Sequence, residues 1–476
     1  MANLYAMICE RWRLRRNEPA FILPGDRRVT HAELEAQVLA LDGWLGERSV
    51  GRGDRLVAQI GKSISGVALY LACLRRGAVW VPLNTAYTSS EVEYFLEDAE
   101  PKLFLSSVPD AAGSAGRHGE PIERGEDDLA AIVYTSGTTG RSKGAMLTHG
   151  NLASNALALH ALWDFRSDDV LLHALPIYHV HGLFVALHTS FLNATPQIFL
   201  EKFDAAEVRR HLPKATVLMG VPTFYTRLLE AGISREECAH MRLFISGSAP
   251  LTPQVFEAWE KRTGKPILER YGMTETGMIT SNPLEGARIA GTVGFPLPGI
   301  EVRAADGVGG EVPRGETGVI EVRGPNVFKG YWRRPEKTAE EFRTDGFFIT
   351  GDVGVMARDG RVAIVGRAKD VIISGGLNIY PKEIEDVLDA VAGVAESAVV
   401  GVPHAEMGEG VVAILVPAVE PIADAVLQDA LDVRLARFKH PRRFVWVEAL
   451  PRNAMGKVQK AALRQRFANA YSPSDR

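Results

Sequence analysis

The chain has 476 residues, of which 46% are apolar and 24% charged, and its formal net charge is −4. That length exceeds one ordinary core and points to two or three domains. So small a net charge argues against a polyanion-binding surface, so no nucleic-acid partner is expected. Cys9, Cys73 and Cys238 lie far apart and lack metal-ligand spacing, which argues against structural zinc and a disulfide framework and fits a reducing cytoplasm.

At the N-terminus, "MANLYAMICERWRLRRNEP" places its charges after a short apolar stretch, the reverse of a secretory signal. No uncharged apolar run reaches the roughly 18 residues of a membrane span, so no membrane partner is expected. Over the first hundred residues, helical patterns ("THAELEAQVLALDGWL", "SGVALYLACLRRG") alternate with short buried strands ("DRLVAQI", "AVWVPL"). Such alternation builds βα units around a largely parallel sheet. Residues 106–128 are polar and rich in Gly and Pro, and read as a surface connection. The alternation then resumes with "LAAIVY", "VLLHALP", "ATVLMGVP" and "MRLFISGSAPL", the last three running into Gly, Ser or Pro loops. In open α/β sheets, ligands collect beyond the carboxyl ends of strands. After about Gly291 the segments are short, β-rich and punctuated by turns, which suggests a small β-barrel or sheet; "ARDGR" carries a hairpin signal. From Lys369, two helical and three strand patterns form a compact α+β unit of about a hundred residues, the size of a small domain.

One stretch carries an obvious chemical signature. "YTSGTTGRSKGAML" (134–147) crowds glycines, hydroxyls and two cations into what reads as a strand-to-helix connection. Glycines let backbone N–H groups converge on an anion, hydroxyls add donors and Lys143 adds a point charge. A flexible polar loop is the bland alternative. The spacing is not that of a Walker loop.

The stretch resembles the phosphate loop of the adenylate-forming superfamily, which includes acyl-CoA synthetases, peptide-synthetase adenylation domains and luciferases. Five further stretches match in the same order: "LPIYHVHGL", "SGSAPL", "YGMTET", "TGDVG" with "GRAKDVIISGGLNIYPKEIE", and "PRNAMGKVQK". The resemblance spans essentially the whole chain. It implies an α/β fold: a large N-terminal domain of α/β layers with a small β-barrel (1–368), then a small mobile α+β domain (369–476) hinged at Lys369. ATP, Mg²⁺ and CoA are the implied cofactor and co-substrates, with the protein a monomer or dimer.

The resemblance also assigns roles. Thr135, Ser136, Gly137, Thr138, Thr139, Gly140 and Lys143 would cradle phosphates. Ser248, Ala249 and Pro250 would line the adenine site, and Tyr271, with Gly272 and Met273, would lie against the ring. Thr274 would touch the α-phosphate and Glu275 would hold magnesium, since a hard cation wants oxygen ligands. Asp352 and Arg367 would bind the ribose diol. Lys457, unremarkable as a surface lysine, would neutralise the attacking carboxylate and the α-phosphate together. Ser374, Gly375 and Gly376 would shape the thiol tunnel, though the glycine pair alone reads equally well as a simple turn.

For the acid, His179, His181, Ser246, Arg227 and Arg288 recur around the implied pocket. Each arginine alone reads as a surface or salt-bridged residue. Together they suit a short dianion, because a second carboxylate needs a cationic partner. Within the superfamily the run from "LPIYHVHGLF" to "SNP" looks closest to malonyl-CoA synthetases, with Arg288 expected as the carboxylate clamp and His181 assisting. Rival readings are a methylmalonyl- or other short-chain acyl-CoA synthetase, a carrier-charging adenylation enzyme, a luciferase, and a non-catalytic nucleotide-binding module. A carrier-charging enzyme would usually adjoin a carrier domain, for which a chain ending at Arg476 leaves no room. A non-catalytic module would be expected to have lost Lys457 or Glu275, and both are present.

Overall fold

The computed structural model describes residues 3–111, 119–135, 142–453 and 457–471. The chain divides into two compact units. The first comprises Met1–Leu251, Val255–Val302 and Val322–Phe348; the second comprises Thr252–Gln254, Arg303–Glu321 and Ile349–Arg476. The expected boundary at Lys369 therefore falls within the second unit.

Two sheets organise the first unit. In the nine-stranded one, Leu268–Met273, Leu243–Ser246, Val217–Gly220, Leu171–His173, Gln197–Phe199 and Pro19–Ile22 lie side by side in parallel. Antiparallel strands border this core on both sides. The expected strands after residues 170, 215 and 241 are all present, fully buried as parallel strands should be. The second sheet runs Leu103–Leu105, Arg55–Ala58, Val79–Pro82, Leu129–Thr135 and Lys143–Thr148. Local sequence fixes the helices between strands. Thr30 and Glu33 form a capping box at the start of His31–Glu47, and Ser63 caps Ile64–Arg75, which is buried from Gly66 to its end.

The glycine-rich loop differs from its expected setting. It joins two antiparallel strands, Leu129–Thr135 and Lys143–Thr148, and the helix starts only at His149. The reason is local: Ala145, Met146 and Leu147 pair with Ala131–Val133 as a strand before Thr148 caps the helix.

Glu301–Ala305, Thr317–Arg323, Phe348–Met356 and Val362–Arg367 form a four-stranded sheet in sequential order, most of whose residues belong to the second unit. The "ARDGR" stretch closes its last hairpin. The final block folds as expected: helices Pro381–Leu388 and Asp424–Arg434 pack on a sheet built around Val394–His404 and Gly408–Pro417. Among the described residues no helix is long and apolar enough to cross a membrane, and all three cysteines are buried and free.

Candidate active site

Strand ends of the first unit bring two groups of side chains into view. The first surrounds the mouth of the glycine-rich loop. Residues 136–140 of that loop (Ser136, Gly137, Thr138, Thr139 and Gly140) lie outside the described residues, but its two flanking residues, Thr135 and Lys143, are register partners. Thr135 Oγ1 lies 3.4 Å from Glu275 Oε1. Glu275, only 5% exposed, also receives the Tyr331 hydroxyl at 3.1 Å, and the same hydroxyl is 2.7 Å from Glu341 Oε2. Lys143 Nζ pairs with Glu341 Oε1 at 3.0 Å and lies 4.0 Å from the centre of the Tyr331 ring. One hydroxyl thus bridges two carboxylates while a lysine neutralises one of them. Burial and the nearby Glu275 push the Tyr331 hydroxyl up, so it stays protonated. Burial works to raise Glu341, but the Tyr331 hydrogen bond and Lys143 outweigh it and hold this carboxyl below its ordinary value. Neither Tyr331 nor Glu341 stood out in the sequence; both sit some 60 residues past the glutamate they support.

Tyr271, Gly272 and Met273 end the strand that carries Glu275 on its following turn, with Thr274 beside it. Gly272 is required there: a Cβ would lie 2.1 Å from the Gly277 carbonyl across the hairpin. Ser248, Ala249 and Pro250 follow the strand Leu243–Ser246, and Ser248 adopts a left-handed φ of 71° although it is not glycine. Such strain is tolerated where surrounding structure over-determines it, as at ligand sites.

The second group lies at the carboxyl ends of the parallel strands. Arg270 is 2% exposed, and none of its three guanidinium nitrogens has a hydrogen-bond partner among the described residues. Gly247 makes room for it; a Cβ there would be 2.5 Å from the guanidinium carbon. Burial pushes the Arg270 pKa down to about 9, partly countered by Tyr225 and Glu269, which leaves it a cation at neutral pH. His181, 1% exposed, places Nδ1 3.3 Å from Ser248 Oγ, while its Nε2 is buried without a partner among the described residues. Burial and then the Arg270 charge drive its pKa well below the ordinary value, so the ring is neutral. Ser246 Oγ is also buried and has no partner among the described residues, and His179 Nδ1 accepts the His181 backbone N–H at 3.3 Å. An unpaired buried guanidinium costs several kcal/mol unless an anion joins it.

The residue expected as the clamp, Arg288, is engaged elsewhere. Arg288 directs Nε, Nη1 and Nη2 to the carbonyls of Pro283, Pro266 and Leu284 at 3.1, 2.8 and 2.9 Å, bracing its own loop. Arg227 is exposed on the helix Pro222–Glu230. Arg270, whose guanidinium has no hydrogen-bond partner among the described residues, was passed over by sequence reasoning. The available signal was a charged residue inside an otherwise buried strand pattern, directly before Tyr271.

The second unit joins one expected pair. Asp352, 4% exposed, and Arg367 are register partners on adjacent strands, with Nε 2.7 Å from Oδ1. Gly375 and Gly376, with φ of 58° and 78°, form a two-residue hairpin turn between Ser374 and Leu377, a conformation glycine adopts without strain. Lys369 lies in the short turn Ala368–Asp370, where burial lowers its pKa. Lys457 is exposed, its backbone N–H bonded to Asn453 Oδ1 at 3.0 Å. No cluster of three or more His, Cys, Asp or Glu that could hold a metal exists among the described residues.

Comparison with known proteins identifies the family. The AMP-binding enzyme family matches residues 9–121 and 106–332, and the AMP-binding enzyme C-terminal domain matches residues 383–457. A malonate–CoA ligase of Arabidopsis thaliana is 36% identical over 88% of this chain and 79% of its own length. A feruloyl-CoA synthase of an Amycolatopsis species is 36% identical over 93% of this chain and 95% of its own. The ATP-bound crystal structure of MatB from Rhodopseudomonas palustris is 49% identical, covers 99% of this chain and 100% of its own, and superposes with a TM-score of 0.95.

Proposed function

The chain belongs to the AMP-binding enzyme family, and from that premise we propose that it ligates malonate to CoA at the expense of ATP, with Arg270 as the clamp for the second carboxylate. It is an acid–thiol ligase. The observation that carries the choice of acid is the buried, unpaired Arg270 guanidinium beside neutral His181 and the free Ser246 hydroxyl. A short dianion satisfies that cation, whereas a long aliphatic chain would leave it unpaired against hydrocarbon.

The reaction has two steps. One malonate carboxylate oxygen attacks the α-phosphorus of ATP, the bond to the bridging oxygen breaks, and pyrophosphate leaves from an acyl-adenylate. The CoA sulfur then attacks the acyl carbonyl, the thiol proton passes to water, and AMP departs. With a thiol pKa near 8.5, no dedicated base is needed for the second step. Within this reading Lys143 and the loop grip the β- and γ-phosphates, Thr274 contacts the α-phosphate, and Tyr271 lies against adenine. Asp352 and Arg367 bind ribose, and Lys457 neutralises the two anions that must meet. Glu275 and Glu341 fit magnesium by donor type: two carboxylates, with phosphate oxygens and water completing the shell, is a common magnesium site. When bound, the ion would offset charge on the phosphates. Lys369 is the hinge, and the Ser374–Gly376 turn meets the pantetheine arm. The free cysteines accord with a reducing compartment such as the cytoplasm.

A pyrophosphate-release screen tests the reading, run with malonate, methylmalonate, succinate, acetate, propionate and octanoate, each with and without CoA. Malonate should give the highest kcat/KM, with AMP and malonyl-CoA as products. Octanoate outperforming malonate would overturn the cationic-pocket argument.

A further inference from the structure

A lysine outside both groups ties the two sheets of the first unit together. Lys62 lies between the strand Arg55–Ala58 and the helix Ile64–Arg75. Its Nζ reaches His173, at the end of the strand Leu171–His173 in the other sheet. It is 2.8 Å from His173 Nδ1, 2.8 Å from the His173 carbonyl oxygen, and 4.2 Å from the centre of the Phe199 ring. No carboxylate pairs with it among the described residues. A solvated structural lysine would not spend its donors in this way, and burial alone drives its pKa well below the ordinary value.

His173 passes the constraint on. It is 1% exposed, and its Nε2 lies 3.0 Å from the Gly182 carbonyl oxygen. A carbonyl only accepts, so Nε2 carries the proton. The ring is held neutral by burial and by the Lys62 charge, so Nδ1 is the acceptor that faces Lys62. Gly182 is the second residue of the π-helical turn His181–Ala186, and its carbonyl also accepts the Leu187 N–H. A Cβ at 182 would lie 2.0 Å from the Pro176 carbonyl, so this backbone has little freedom to shift. Single π-helical turns are uncommon and cluster at functional sites. This one begins with His181.

We propose that Lys62 is a positioning residue for the acid pocket: through His173 it fixes the Gly182 carbonyl, and with it the π-helical turn that sets His181 beside Arg270. The inference rests on the reading that Arg270 and His181 receive the second carboxylate. Lys62 touches no substrate in it. Its effect is confined to acids that use that pocket, which separates it from a lysine that merely holds two sheets together.

The test uses the full chain. Lys62→Met keeps the apolar stem and removes the donors. Pyrophosphate release is measured over a range of malonate, propionate and ATP concentrations. The malonate KM should rise on the order of tenfold, as small misplacements of binding groups do, while the KM values for propionate and ATP stay within about twofold. His173→Phe, which leaves Lys62 in place, should give the same malonate-specific defect, and the double variant should be no worse than either single one. His173→Phe alone also keeps the test open if Lys62→Met folds poorly. Equal losses on malonate and propionate, or additive effects in the double variant, would overturn the inference. Two failures are distinguishable. A wild-type enzyme without preference for malonate over propionate defeats the malonate reading itself. A wild type with that preference and a Lys62→Met variant that keeps it defeats only the role of Lys62.

Discussion

The two sides of the first unit, around the glycine-rich loop and around Arg270, satisfy their polar groups in opposite ways. Around the mouth of the glycine-rich loop the described charged groups pair internally: Lys143 with Glu341, and Glu341 and Glu275 with the Tyr331 hydroxyl. Around Arg270, by contrast, three guanidinium nitrogens, the His181 Nε2 and the Ser246 hydroxyl are buried without a hydrogen-bond partner among the described residues. Buried polar groups without partners are costly and call for an explanation. In the reading proposed above, the first arrangement exchanges partners when nucleotide binds and the second is completed by the substrate's second carboxylate.

The largest effect should fall on both sides alike. Lys457→Ala should lower adenylate formation about a thousandfold, the scale of deleting one transition-state donor. The loss should be the same for every acid, with the melting temperature unchanged. Near-normal pyrophosphate release by that variant would remove Lys457 from the reaction.

Acid should separate the two sides by window. His173 and His181 have depressed pKa values in the fold, so the unfolded chain takes up their protons first. Stability is complete above about pH 6.5 and falls below it, by about 1.4 kcal/mol per pH unit for each such group. Glu341 is a carboxylate held below its ordinary value of 4.5, so its contribution persists until the pH drops under that value. Denaturant unfolding from pH 8 to 4 should show an early loss that His181→Asn reduces. A flat profile down to pH 5 would contradict the neutral, buried imidazoles.

Tyr331→Phe removes the hydrogen that two carboxylates share. It should cost about 1–3 kcal/mol of stability and raise the KM for ATP while leaving that for malonate alone. Arg288→Met should do less: about 1–2 kcal/mol of stability for three backbone acceptors left to water, with malonate kinetics intact. A large malonate-specific defect in Arg288→Met would restore the clamp to its expected position.

The same contrast explains what could be read before the fold was known. Parallel strands announced themselves as short apolar runs ending in small residues, and the glycine-rich loop, Glu275, Asp352 and Arg367 fell within contiguous motifs. Asp352 and Arg367, fifteen positions apart, even meet as register partners. Tyr331 and Glu341 were not legible, because their partnership with Glu275 is made only by tertiary folding. The strand character of Lys143–Thr148 was hidden by the helical pattern that follows it. Arg288 drew attention as a clamp because a cation's value depends on what it already bonds, which the sequence does not display; in the fold three backbone carbonyls accept from that guanidinium. Arg270 was overlooked because its significance is an absence of partners, and no linear pattern displays that.

The central claim is that the unpaired Arg270 selects a dianion. It is tested most directly by the ratio of kcat/KM for malonate to that for propionate, in the wild type and in Arg270→Met. Replacing an unpaired buried charge with an apolar side chain of similar length should leave the melting temperature unchanged or higher. The account predicts a wild-type ratio well above one that falls at least a hundredfold, or about 2.7 kcal/mol, in the variant, the scale of a lost charge-assisted pair. A variant that still prefers malonate to the wild-type degree would contradict it.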